Sequence, residues 1–195
     1  MRLKNTLSLA ISTLIAATSL SALAQGQGSF EGQLVEKRES WHTEQFLHYS
    51  NDPAASIGYF LNDDILIKFG YERLHQVYTN HQSGNHEVHG WNASLATQYN
   101  FGQAGVDSLR PYLEAGIVQN SITINGDMAH DEAVSISVGA GVKYYFTNNL
   151  FALAGVGADY FTERPYSKPN DRTNYSAQIG LGVNLGGNAG RSLVK

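Results

Sequence analysis

Residues Val134 to Phe146 alternate without a break. Val134, Ile136, Val138, Ala140, Val142, Tyr144 and Phe146 fall on one side, and Ser135, Ser137, Gly139, Gly141, Lys143 and Tyr145 on the other. Thirteen residues of period two specify a β-strand, because a helix would repeat its apolar positions every 3.6 residues. A strand of about 9–11 residues tilted by about 45° crosses a bilayer, and transmembrane barrels alternate apolar-out with polar-in. The stretch therefore reads as a spanning strand, with lipid on its even face and a polar lumen on its odd face.

The same test picks out seven further stretches: Phe30–Lys37, Ala54–Phe60, Ile65–Leu74, Val88–Phe101, Leu109–Gln119, Leu150–Phe161 and Tyr175–Leu185. The links between them alternate in length. Glu39–Pro53, His75–Glu87, Asn120–Glu132 and Thr162–Thr173 are long and polar, while Asn62–Asp64, Gly102–Ser108 and Thr147–Asn149 are short turns. A soluble sandwich also alternates, but it has no reason to alternate its loop lengths; outer-membrane barrels have short periplasmic turns and longer external loops. The chain is predicted to be all-β: an eight-stranded antiparallel transmembrane up-and-down β-barrel of the outer membrane. Closure satisfies every strand edge in lipid.

The N-terminus carries Arg2 and Lys4, an apolar run Leu7–Leu20 and then Ser21-Ala22-Leu23-Ala24. A basic start, an apolar middle and an A-x-A end form a cleaved secretory signal. The expected division is a signal peptide at 1–24, a barrel at 25–187 and a short tail at 188–195. No other segment is long and apolar enough to be a spanning helix. The chain has no cysteine, so an exported fold must close by other means than disulfides. After cleavage 11 basic residues face 17 acidic ones, a net charge of −6, which argues against nucleic acid as a partner. The last strand carries Gln178-x-Gly180-x-x-Val183-x-Leu185, similar to the terminal signal that outer-membrane barrels present to the barrel assembly machinery.

Several pieces together resemble one family. Ser56-Ile57-Gly58-Tyr59-Phe60-Leu61 with Asp63-Asp64, Leu109-Arg110-Pro111-Tyr112, Gly139 to Thr147, and Gly182-x-Asn184-x-Gly186-Gly187 occur in an order similar to that of the N-terminal membrane barrel of the OprF/OmpA outer-membrane porins, closest to the OprF branch. The resemblance spans Gln25 to Gly187. It implies an eight-stranded barrel in the outer membrane of a Gram-negative bacterium, with a structural and weak, non-specific porin role. Full-length members continue into a periplasmic peptidoglycan-binding domain. The sequence here stops at Lys195 without one, so that role is not carried over.

An eight-stranded barrel has an interior that side chains can fill. The face opposite the lipid offers Lys68, Glu72, Gln98, Tyr112, Glu114, Lys143, Tyr145, Asp159 and Gln178 as pore-lining candidates, with Lys37 beside them. Charges in a narrow interior are costly unless paired. The expectation is a Glu114–Lys143 pair across strands five and six, with Lys68, Glu72 and Asp159 completing a network that plugs the lumen and gates a small pore when it rearranges. Arg164, Lys168 and Arg172 crowd the last long loop and are candidates for lipopolysaccharide phosphate contact. All seven histidines lie in or beside external loops, but His86 and His89 point to opposite faces of a strand, so no metal and no cofactor is expected. Lipid, lipopolysaccharide, the assembly machinery and small solutes are the expected partners. A loop-mediated adhesin or receptor is the alternative. A lipid A-modifying enzyme is weaker, because His81 and Ser83 have no fixed acid beside them; the chain is read as a non-enzyme.

Overall fold

The computed structural model describes residues 27–43, 46–80, 84–124, 129–162 and 173–186. Eight antiparallel strands form a closed barrel in sequence order: β1 (Phe30–Thr43), β2 (Phe46–Phe60), β3 (Ile65–Asn80), β4 (Gly84–Asn100), β5 (Leu109–Ile124), β6 (Ala129–Tyr145), β7 (Leu150–Phe161) and β8 (Thr173–Leu185). There is no helix among the described residues. The expected signal peptide and the tail lie outside them.

The three short turns have their own local chemistry. Asn62 Oδ1 accepts from the backbone N–H of Asp64 (2.9 Å) and of Ile65 (2.7 Å). Thr147 Oγ1 does the same for Asn149 and Leu150. Such side chains mimic a turn carbonyl and end a strand cleanly. The β4–β5 turn is tied to β6 by Asp107 N–H to Tyr145 C=O and by Tyr145 N–H to Ser108 C=O.

At the other end the strands overrun their predicted limits. Residues predicted as loop at Glu39–Pro53, His75–Glu87 and Asn120–Glu132 mostly continue the ladder; β1 and β2 pair out to Thr43↔Phe46, and β3 and β4 out to Asn80↔Gly84. Apolar alternation stops where lipid stops, but backbone hydrogen bonding does not depend on it. The hairpins therefore project past the membrane.

Following paired residues around the wall from Phe30 through Tyr59, Ile67, Thr97, Ala115, Val138, Ala158 and Tyr175 returns to β1 at Ser40, a shear of ten residues. For eight strands with a rise of about 3.3 Å and a spacing of about 4.8 Å, this gives a tilt of about 41° and a backbone radius of about 8 Å. The outer face is apolar, with Ile57, Phe69, Leu95, Leu113, Val156 and Ile179 exposed. Aromatic pairs edge it at the turn end: Phe30–Tyr59, Tyr99–Phe101 and Tyr144–Phe146, with ring centroids 5.2, 4.9 and 5.3 Å apart. Tyr71, Trp91, Tyr160 and Tyr175 edge the other end. The eight residue steps from Trp91 to Tyr99, tilted as above, span about 20 Å, close to the ~25 Å apolar band of an outer-membrane barrel.

Candidate functional site: a tiered lumen

The shear sorts the inward side chains into tiers along the barrel axis. The tier nearest the turns is a packed plug. Phe60, Leu66, Tyr145 and Phe151 are fully buried, with Tyr145 and Phe151 rings 5.0 Å apart. Among them lies Lys143, itself fully buried, whose Nζ donates to Glu31 Oε1 at 2.7 Å and Oε2 at 2.8 Å. β1 and β6 are separated by β7 and β8, so this pair spans the lumen. Lys143 Nζ also lies 5.1 Å from the Phe151 ring centroid and 5.7 Å from that of Tyr112. In the amide orientation that matches donors to acceptors, Gln98 accepts from Lys143 Nζ at 2.7 Å and donates to Glu114 Oε2 at 3.1 Å. Glu31 accepts a further bond from Gln33 Nε2 at 2.6 Å. Arg110, buried beside the plug, reaches Asp64 Oδ1 at 3.2 Å and the Asp63 carbonyl, tying β5 to the β2–β3 turn.

One tier further in, Lys68 pairs with Glu114. The Tyr112 ring lies flat across β6 and β7 with its hydroxyl accepting from Gln178 Nε2 at 3.2 Å. Gly141 and Gly155 make that possible: a Cβ on either would press into the phenol. Above Tyr112 the wall is lined by small residues, including Gly70, Ser94, Gly139, Gly157 and Ser176, which leave a cavity of about 110 Å³. Its far side is polar again. Lys37 Nζ reaches Glu72 Oε2 at 3.1 Å and Asp159 Oδ2 at 3.8 Å, and Asn92 Nδ2 donates to Glu72 Oε2 at 3.3 Å.

All the predicted lumen residues, from Lys68 to Gln178, sit on the inner wall, but their pairing differs from expectation. Glu114 and Lys143 do not pair. In the β5–β6 ladder Glu114 faces Gly139 and Lys143 faces Arg110, an offset of four residues or about 13 Å along the strands. Glu114 takes Lys68 instead, and Lys143 takes Glu31. Lys37, not Lys68, joins Glu72 to Asp159. Glu31 and Arg110 are the charged lumen residues that the candidates missed. Both have the inward parity of their strands, Glu31 with Gln33 and Lys37, and Arg110 with Tyr112 and Glu114, and that parity was the signal available. Arg164, Lys168 and Arg172 lie outside the described residues, as does His81. Among the described residues no cluster of three or more His, Cys, Asp or Glu side chains has a geometry to hold a metal ion.

The family profile described as the OprF membrane domain matches residues 1–189. The chain belongs to that family. Outer membrane porin F of Pseudomonas fluorescens is 47% identical over 193 residues, 97% of this chain and 57% of that protein. Outer membrane porin F of Pseudomonas aeruginosa is 39% identical over 189 residues, 96% of this chain and 53% of that protein. The chain thus spans little more than half the length of these curated relatives. Among solved structures, the N-terminal β-barrel domain of Pseudomonas aeruginosa OprF superimposes with a TM-score of 0.64 at 35% identity, over 83% of this chain and 100% of that domain. Neisserial surface protein A, at 21% identity and a TM-score of 0.61, shares the fold. The protein is an outer-membrane β-barrel of a Gram-negative bacterium.

Proposed function

We propose that this OprF-family barrel is a structural element of the outer membrane and a small, non-specific pore, held shut by the Lys143–Glu31 bridge and opened when that bridge breaks. The observation that carries the reading is the bridge itself: a bidentate ion pair, closed off from solvent, joining β1 to β6 across the plugged end of a lumen that is otherwise hollow enough for several waters. A buried pair of this kind is weak support for stability, since apolar side chains of the same volume fill space as well. Its value lies in being switchable. Gln98 bonds Lys143 on one side and Glu114 on the other, so Glu114 is the next acceptor along the path of the ammonium. Moving Lys143 toward it clears the centre of the plug. The barrel is read as non-enzymatic: the charged groups of the lumen, Lys143 with Glu31, Lys68 with Glu114 and Lys37 with Glu72, are engaged in ion pairs. Arg164, Lys168 and Arg172 remain our candidates for lipopolysaccharide phosphates, and the ending Gln178 to Leu185 for the assembly machinery. Single-channel recording of the refolded full chain in a planar bilayer, with Lys143→Ala beside it, tests the gate. Brief, rare openings in the wild type and long ones in the variant are expected. Identical traces would refute it.

A further inference from the structure

We infer that the collar formed by Glu31, Gln98, Tyr112 and Phe151 is a binding site for primary alkylammonium ions, filled in the shut barrel by Lys143 and offered to solute when Lys143 leaves. This rests on the gated-pore reading for its natural role, but the chemistry of the site stands on geometry alone. An ammonium has three N–H donors. Lys143 finds three acceptors: both Glu31 oxygens at 2.7 and 2.8 Å and the Gln98 amide oxygen at 2.7 Å. Two ring faces, at 5.1 and 5.7 Å, supply the cation–π attraction that favours a desolvated cation. A planar guanidinium with five donors does not match this set, and an anion meets a carboxylate and two negative ring faces.

Each of the four groups has a partner other than Lys143, Gln98 through its bond to Glu114 Oε2 at 3.1 Å. Glu31 is held by Gln33 Nε2 at 2.6 Å. Tyr112 lies in the groove over Gly141 and Gly155 and is tied to Gln178. Phe151 packs on Tyr145 and over Gly182, where a Cβ would run into its ring. The neighbouring cations are engaged elsewhere, Lys68 with Glu114 and Arg110 with Asp64. The vacated collar therefore keeps its shape and its negative charge.

Truncating Lys143 to alanine removes three methylenes and the ammonium, the outline of n-propylammonium. The test is urea unfolding of refolded full-length Lys143→Ala in lipid vesicles, with n-propylammonium chloride or sodium chloride at equal ionic strength. The midpoint should rise with propylammonium and not with sodium. Adding Glu31→Gln should abolish the response, and adding Phe151→Leu should weaken the apparent affinity by about tenfold. Equal curves in the two salts would overturn the site, whatever the conductance. Should Lys143→Ala fail to refold in either salt, wild-type channels decide: millimolar propylammonium should block open-channel current where equimolar sodium does not, and absence of block overturns the proposal. A wild-type barrel that never opens, alongside a propylammonium-responsive variant, removes the gate and leaves the site.

Discussion

Neutralising one half of the Lys143–Glu31 bridge should be far more harmful than neutralising both. Glu31→Gln keeps the shape of the side chain but leaves the Lys143 ammonium fully buried without a counter-charge. Lys143→Met keeps the volume and strands the Glu31 carboxylate, which is 1% exposed. Removing one member of a buried pair costs about 3–5 kcal/mol, because the remaining charge stays desolvated. The double variant holds only neutral groups of similar size, and replacements of that kind are close to neutral. The coupling between the two sites should therefore be at least about 3 kcal/mol, more than a hundredfold in the folding equilibrium. Reversible urea unfolding in phospholipid vesicles measures it, with fluorescence of Trp91 on the lipid-facing side as the reporter. Single-variant costs that simply add, to within about 0.5 kcal/mol, would show that the two charges do not interact as the geometry requires.

Three other outcomes follow from the same wall. Gly155→Ala should cost about 1–3 kcal/mol by forcing Tyr112 out of its groove, and Tyr112→Phe in the same chain should recover part of that cost; a strictly additive double variant, measured by urea unfolding, would contradict the close approach. Leu95→Lys, at mid-depth on the lipid face, should destabilise the barrel by about 2–4 kcal/mol, and Tyr175→Lys at the rim by about 1 kcal/mol or less; refolding yields in vesicles of matched thickness would show the depth dependence, and equal costs would misplace the membrane. Lys37→Met, which breaks the outer Glu72–Lys37–Asp159 cluster and leaves the plug intact, should lower stability without lengthening channel openings, and longer openings would put the gate in the wrong tier.

The wall was legible in the sequence, and the wiring inside it was not. Period two in Val134–Phe146 and its sister stretches fixes which side chains face lipid, because a strand allows only two directions. The turns at Asn62–Asp64 and Thr147–Asn149 announce themselves through side chains that bond their own backbone. Pairing partners need the stagger between strands as well, and nothing local encodes it. Glu114 and Lys143 sit on adjacent strands and both face inward, yet the register parts them by four residues, while Lys143 meets a carboxylate 112 positions away in the chain. The expectation of a polar lumen also failed at one end. Phe60, Leu66, Tyr145 and Phe151 all have inward parity, and large apolar side chains there make the stopper that a polar wall alone would not. The outer hairpins were misjudged because polar alternation above the membrane carries no hydropathy contrast, although the backbone continues to pair.

The ladder that joins β1 to β8, from Phe30↔Leu185 to Trp41↔Asn174, also sets a clock. It is a seam between the first strand made and the last. Until the ribosome has finished Thr173–Leu185, β1 has no second neighbour, and every shorter nascent chain has two raw edges that lipid will not accept. A closed barrel, with every strand edge paired, therefore exists only once β8 is in place against β1.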